Sequence, residues 1–187
     1  MASVEATHPH VTYADLRRWP EDGKQHELYD GEVRVVPAPS NLHQIIQANI
    51  QDILEEYRKA YGGRVLGAPL DIVFREDTVI QPDLTYLAAP SFRLLDLHKP
   101  IRFAPDLVVE ILSPSTSTWD RVKKYGVYAR YGVSEYWVVD PGDETVEIFA
   151  LGDGGYELAC AGRRAGHIPS ATLPGLTLDL ERVFSTQ

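Results

Sequence analysis

The sequence predicts an α/β protein, a single domain over residues 1–187 with a central mixed β-sheet flanked by helices. Three features carry that expectation. A long amphipathic helix falls between early strand-like segments, and a strand–helix–strand order follows in the second half. Residues 106–112 read as a strand with two mainly apolar faces, the pattern of a central strand covered on both sides. A chain of 187 residues is long enough for one well-packed core and short for two.

The elements follow in order. Thr12 is placed to cap a short helix reaching Trp19. "PEDG" turns the chain into "HELYDGEVRVV", where Gly31 separates strands at 26–29 and 32–36. Ser40 opens the clearest helix: Ile46, Ile50, Ile53, Leu54 and Tyr57 recur at three- and four-residue steps, and Gly62 and Gly63 close it. "APLDIVF" and "VIQPDLTYLAA" read as strands, the second starting near Pro82, and residues 91–102 as a loop with some helical character. After the strand at 106–112, "SPSTSTWD" is a turn in which Ser117 caps a helix that runs to Tyr131 and stops at Gly132. "SEYWVVD" is a strand, "TVEIFAL" and "YELAC" form a C-terminal β-hairpin around an Asp-Gly turn, and "LPGLTLDLERVF" is a strand edge with a short helix.

Composition narrows the function classes. No apolar run is long enough for a transmembrane helix, and the first residues lack the basic start and apolar stretch of a secretory signal, so a cytoplasmic location is expected. The lone Cys160 leaves no internal disulfide and no cysteine-built metal site. A net charge of −9 argues against broad, salt-driven coating of nucleic acid. The charge is uneven, however. Residues 140–160 hold six acidic side chains and no Lys or Arg, whereas residues 117–131 hold Arg121, Lys123, Lys124 and Arg130 against Asp120 alone.

The candidate chemistry starts at Glu110, which interrupts the apolar run Val108, Val109, Ile111, Leu112. An ionised carboxylate in such a strand needs a raised pKa, a basic partner or a bound cation. Asp83, after Pro82, and Glu27, between His26 and Leu28, have similar settings. Carboxylates gathered in a fold repel one another, and an oxygen-only ligand set suits Mg²⁺ or Mn²⁺ rather than zinc. Asp120, Lys124 and Tyr128 follow at four-residue steps, so the helix after Glu110's strand can carry an ammonium toward the same pocket.

"QPDL", "APDLVVEILSPST" and "DRVKKYGVYARYGVSEYWVVD" together resemble the PD-(D/E)XK restriction-endonuclease-like superfamily. They are closer still to a large bacterial family of restriction-endonuclease-like proteins of unknown function. The similarity runs from "HELYDGE" through "SNLHQ" to "LPGLTLDL", nearly the whole chain. No single motif is specific; the ordered series is. The resemblance implies a restriction-endonuclease-like core and Mg²⁺-dependent hydrolysis of DNA phosphodiesters. Mn²⁺ is possible, and no organic cofactor is implied. Asp83 and Glu110 would be the metal-binding carboxylates, with the carbonyl of Ile111 completing the inner shell. The superfamily's X-K lysine would fall at Leu112, which cannot do that work, so the role passes to Lys124 on the next helix, with Lys123 as its rival. Glu27 matches an additional acidic position, and a DNA-cutting homodimer is the implied assembly.

Blander readings stand beside these. Glu110 could pair with a core Arg or Tyr, Asp83 could be a turn residue, Lys124 could pair with Asp120 on a solvated face, and Glu27 could be half of a cross-strand pair. His43 suits proton transfer, phosphate contact, capping or packing equally and is not counted in the site; Tyr125, Tyr128 and Tyr131 read as core or interface. Two alternative functions remain: a cleavage-inactive nuclease fold that binds DNA or a protein partner, and a hydrolase acting on RNA or a small phosphodiester.

Overall fold

The computed structural model describes residues 10–113 and 120–187. Thr12 caps the first helix, α1 (Tyr13–Leu16), in a reciprocal capping box with Asp15, but the helix ends at Leu16 rather than reaching Trp19. Then come β1 (Gln25–Tyr29) and β2 (Glu32–Val36), an antiparallel hairpin closed at Asp30 and Gly31. Ser40 caps α2 (Asn41–Tyr61) by accepting from the His43 amide, and Gly62, at φ +82°, ends it.

The following segments depart from the single sheet that the sequence suggests. They comprise β3 (Arg64–Gly67), β4 (Ile72–Arg75), β5 (Thr78–Ile80), β6 (Leu84–Leu87), the short α3 (Ala89–Phe92) and β7 (Leu107–Ile111). Order β2-β1-β5-β4 makes a four-stranded antiparallel sheet. The strand expected to start near Pro82 is β6, whereas the residues before it in "VIQPDLTYLAA" close β5 of the other sheet, with a break at residues 81–83. Pro82 cannot donate to a ladder, so the chain changes sheets there.

A wide helical turn, Asp120–Lys124, leads into α4 (Tyr125–Tyr131), which stops at a left-handed Gly132. The expected Ser117 cap lies outside the described residues. The chain continues through β8 (Glu135–Asp140), β9 (Thr145–Gly152), β10 (Gly155–Arg163), β11 (His167–Pro169), β12 (Thr177–Asp179) and α5 (Leu180–Val183). The main sheet runs β10-β9-β8-β7-β6-β3; β7 and β8 are parallel across α4 and the other pairs antiparallel, so the sheet is mixed as expected. The hairpin at the Asp-Gly turn is β9–β10, and β11 and β12 form a further two-stranded pair.

Both faces of the main sheet are covered. Ile46, Ile50, Leu54 and Tyr57 of α2 pack on Leu107, Val109 and Ile111. Val127 and Tyr128 of α4 pack on Val108, Leu112 and Val138 opposite. Strand β7 is buried throughout, and alternation turns Glu110 toward the α4 side.

Candidate metal-assisted hydrolysis site

Glu27 comes from β1 of the smaller sheet, Glu110 from β7 of the larger, and Lys124 from the turn that opens α4. They meet where the two sheets approach. The Lys124 ammonium lies 2.8 Å from Glu110 Oε2 and 3.2 Å from Glu27 Oε1. All three side chains are at most 5 % exposed, so the pairing is little screened by solvent. The far oxygens are held as well: Tyr128 donates to Glu110 Oε1 at 2.5 Å and Tyr29 to Glu27 Oε2 at 2.8 Å. The Gln81 amide adds a bond to Glu27 Oε1 at 2.9 Å. Burial, then the charges of Glu110 and Glu27, push the Tyr128 hydroxyl well above the ordinary tyrosine range, so it remains a donor at working pH.

Asp83 sits at the crossing between the sheets, one residue beyond the last registered β6–β7 pair, Leu84 with Val109. Its Oδ2 accepts the Ile111 amide at 2.7 Å and lies 3.2 Å from His43 Nε2. Gln47 holds its backbone carbonyl at 3.0 Å. The first turns of α2 thus fix Asp83 from one side and the end of β7 from the other.

Glu27, Asp83, Glu110, Ile111 and Lys124 all line one cavity of about 290 Å³, together with His43, Arg34 and a rim from Val36 to Pro39. Three carboxylates line the cavity with Lys124 and Arg34, a balance of formal charges that leaves one negative charge in excess. Among the described residues no three His, Cys, Asp or Glu side chains converge as a ready ligand cage. The oxygen donors expected from the sequence, the Asp83 and Glu110 carboxylates and the Ile111 backbone, all lie on the cavity wall, with Glu110 also bonded to Lys124 and Tyr128. That sparse all-oxygen set suits Mg²⁺, which keeps several of its waters.

The structure brings all the expected side chains to this cavity and places Lys124, not Lys123, at the carboxylates: Lys123 is exposed and faces Asp30 and Arg130 in a separate depression. Two contributors were missed. His43 was set aside, yet it contacts Asp83; nothing in a helix's first turn reveals a partner forty residues away. Tyr128 was read as core, which it is, but it also holds Glu110; its four-residue step from Lys124 was the usable signal.

Comparison with known proteins agrees with this architecture. A crystal structure titled as a putative nuclease belonging to DUF820, from Anabaena variabilis, superposes with a TM-score of 0.75 at 21% identity over 93% of this chain and 97% of that one, a likeness in fold. An uncharacterized protein of Synechocystis sp. is 25% identical over 158 residues, 82% of this chain and 80% of its own length. No helix among the described residues is long and apolar enough to cross a membrane. The family model described as "Uma2: Putative restriction endonuclease" matches residues 13–181, and the chain belongs to that family.

Proposed function

We propose that the chain is a metal-dependent endonuclease that hydrolyses phosphodiester bonds in DNA. The observation that supports this best is the convergence of Asp83, Glu110 and Lys124 on one cavity, from three separate stretches of the chain. Asp83 and Glu110, with the Ile111 carbonyl, would hold Mg²⁺ or Mn²⁺. When bound, the ion would polarise a phosphoryl oxygen and lower the pKa of its water. Lys124 would neutralise charge that develops on phosphorus or hold the attacking water, with Glu110 and Glu27 keeping its ammonium in place. Glu27, on the same cavity wall, would orient metal-bound water or support a second ion. Arg34 on the cavity wall would meet the substrate's phosphate charge. Two such sites in a homodimer would address the two strands of a duplex.

The test is calorimetric titration with Mn²⁺, followed by cleavage assays on duplex DNA. Wild type should bind Mn²⁺ and nick DNA, and both Asp83→Ala and Glu110→Ala should abolish binding. Unchanged affinity in both variants would refute the shared-ion assignment. Binding of metal and DNA without cleavage would point instead to the cleavage-inactive alternative, and preference for RNA to the other.

A further inference from the structure

Glu27 and Glu110 are held in matching ways. Each gives one carboxylate oxygen to Lys124 and the other to a tyrosine hydroxyl, so the chain Tyr29–Glu27–Lys124–Glu110–Tyr128 is continuous from β1 to α4. The glutamates and the lysine line the cavity, whereas neither tyrosine does; the hydroxyls approach from behind. A glutamate's terminal torsion is broad and sets the carboxylate plane only weakly on its own. Anchoring the rear oxygen fixes that plane and turns the other oxygen, the one that meets Lys124, to the front.

We infer that Tyr128 is a positioning residue: its hydroxyl fixes the Glu110 carboxylate so that Oε2 is presented to the cavity for a divalent cation, with Lys124 beside it. The inference rests on the metal-dependent reading proposed above. Tyr128 does not touch substrate or ion. It acts through Glu110, as outer partners of metal ligands do, and the loss of such a partner typically lowers metal affinity about 10- to 100-fold. Tyr125 supplies an internal control. It lies on the same helix and its hydroxyl also makes a short bond, 2.6 Å to the Tyr156 carbonyl, rather than to a glutamate.

The experiment is Mn²⁺ titration of wild type, Tyr128→Phe and Tyr125→Phe, each checked for native near-UV circular dichroism. Phenylalanine keeps both rings in place and removes only the hydroxyl. Tyr128→Phe should bind Mn²⁺ at least about tenfold more weakly, while Tyr125→Phe keeps wild-type affinity. Affinity within twofold of wild type in Tyr128→Phe overturns the positioning role and leaves the nuclease reading standing. Equal weakening in both variants overturns it too, because the loss then reflects general loosening. If wild type binds no Mn²⁺, the nuclease reading itself fails and takes this inference with it.

Discussion

Lys124 has a structural task in the buried network, and the proposed function gives the same side chain a part in the chemistry. It compensates two glutamates that are almost wholly shielded from water. Removing one partner of a buried ionic network leaves uncompensated charge and costs roughly 3–5 kcal/mol. Lys124→Ala should therefore lower the urea-unfolding free energy by about that much, and Mn²⁺ should recover part of it by replacing the missing positive charge. The same variant should lose DNA cleavage while retaining metal affinity; a stable, fully active Lys124→Ala protein would contradict both expectations. Lys123→Ala, a change at the surface, should alter stability by less than about 0.5 kcal/mol and leave cleavage intact. The sequence supplied the candidates at this scale, because a carboxylate inside an apolar strand can be seen without coordinates. It left Lys123 and Lys124 open, since adjacent helical residues point about 100° apart and periodicity alone does not say which faces the sheet. The wide turn at Asp120–Lys124 changes that phase further.

A third buried glutamate, on β8, has a structural task. Glu135 is fully buried and accepts from Trp137 Nε1 at 2.5 Å, Ser170 Oγ at 2.8 Å, and the amide and hydroxyl of Thr172 at 2.7 and 2.6 Å. It thereby ties β8 to the loop between β11 and β12, with no place in the cavity. Glu135→Ala would strand the Trp137 and Thr172 N–H donors, at a cost of about 3 kcal/mol. A shift in urea midpoint with unchanged slope and unchanged Mn²⁺ affinity would show that this carboxylate serves the fold alone. Burial by itself thus does not separate a site from a staple; what surrounds the carboxylate does. The elements legible in advance were those with long local periodicity, above all α2. The strand expected to start near Pro82 is β6; that the residues just before it form β5 of another sheet was not legible, because it depends on partners distant in sequence.

For the molecule as a whole, ligand and proton linkage give two measurable consequences. If the cavity binds a divalent cation in the folded state only, metal at a hundred times its dissociation constant should add about 2.7 kcal/mol of stability. Thermal melting with and without Mg²⁺ or Mn²⁺ checks this, and an unchanged midpoint would count against the site. The alkaline limit comes from tyrosines. Burial first, then the neighbouring Tyr57 and Asp106, raise the Tyr86 hydroxyl to about 12, and burial with Asp71 raises Tyr13 to about 12. Both folded values exceed the ordinary value of 10, so their contribution is complete below pH 10 and is lost as pH rises through 12. Denaturation midpoints followed from pH 9 to pH 12 should be flat at first and then fall; no decline over that window would contradict it. By itself the sequence determined an α/β chain, its long helix, and the apolar strand that carries a carboxylate, because composition and periodicity are local properties. Only the tertiary structure decided that two sheets rather than one enclose the cavity, that Lys124 bridges two glutamates, that His43 meets Asp83 on the cavity wall, and that Tyr128 stands behind Glu110. Those pairings join residues far apart in the chain, and side-chain contacts of that kind are fixed only when the sheets and α4 pack together.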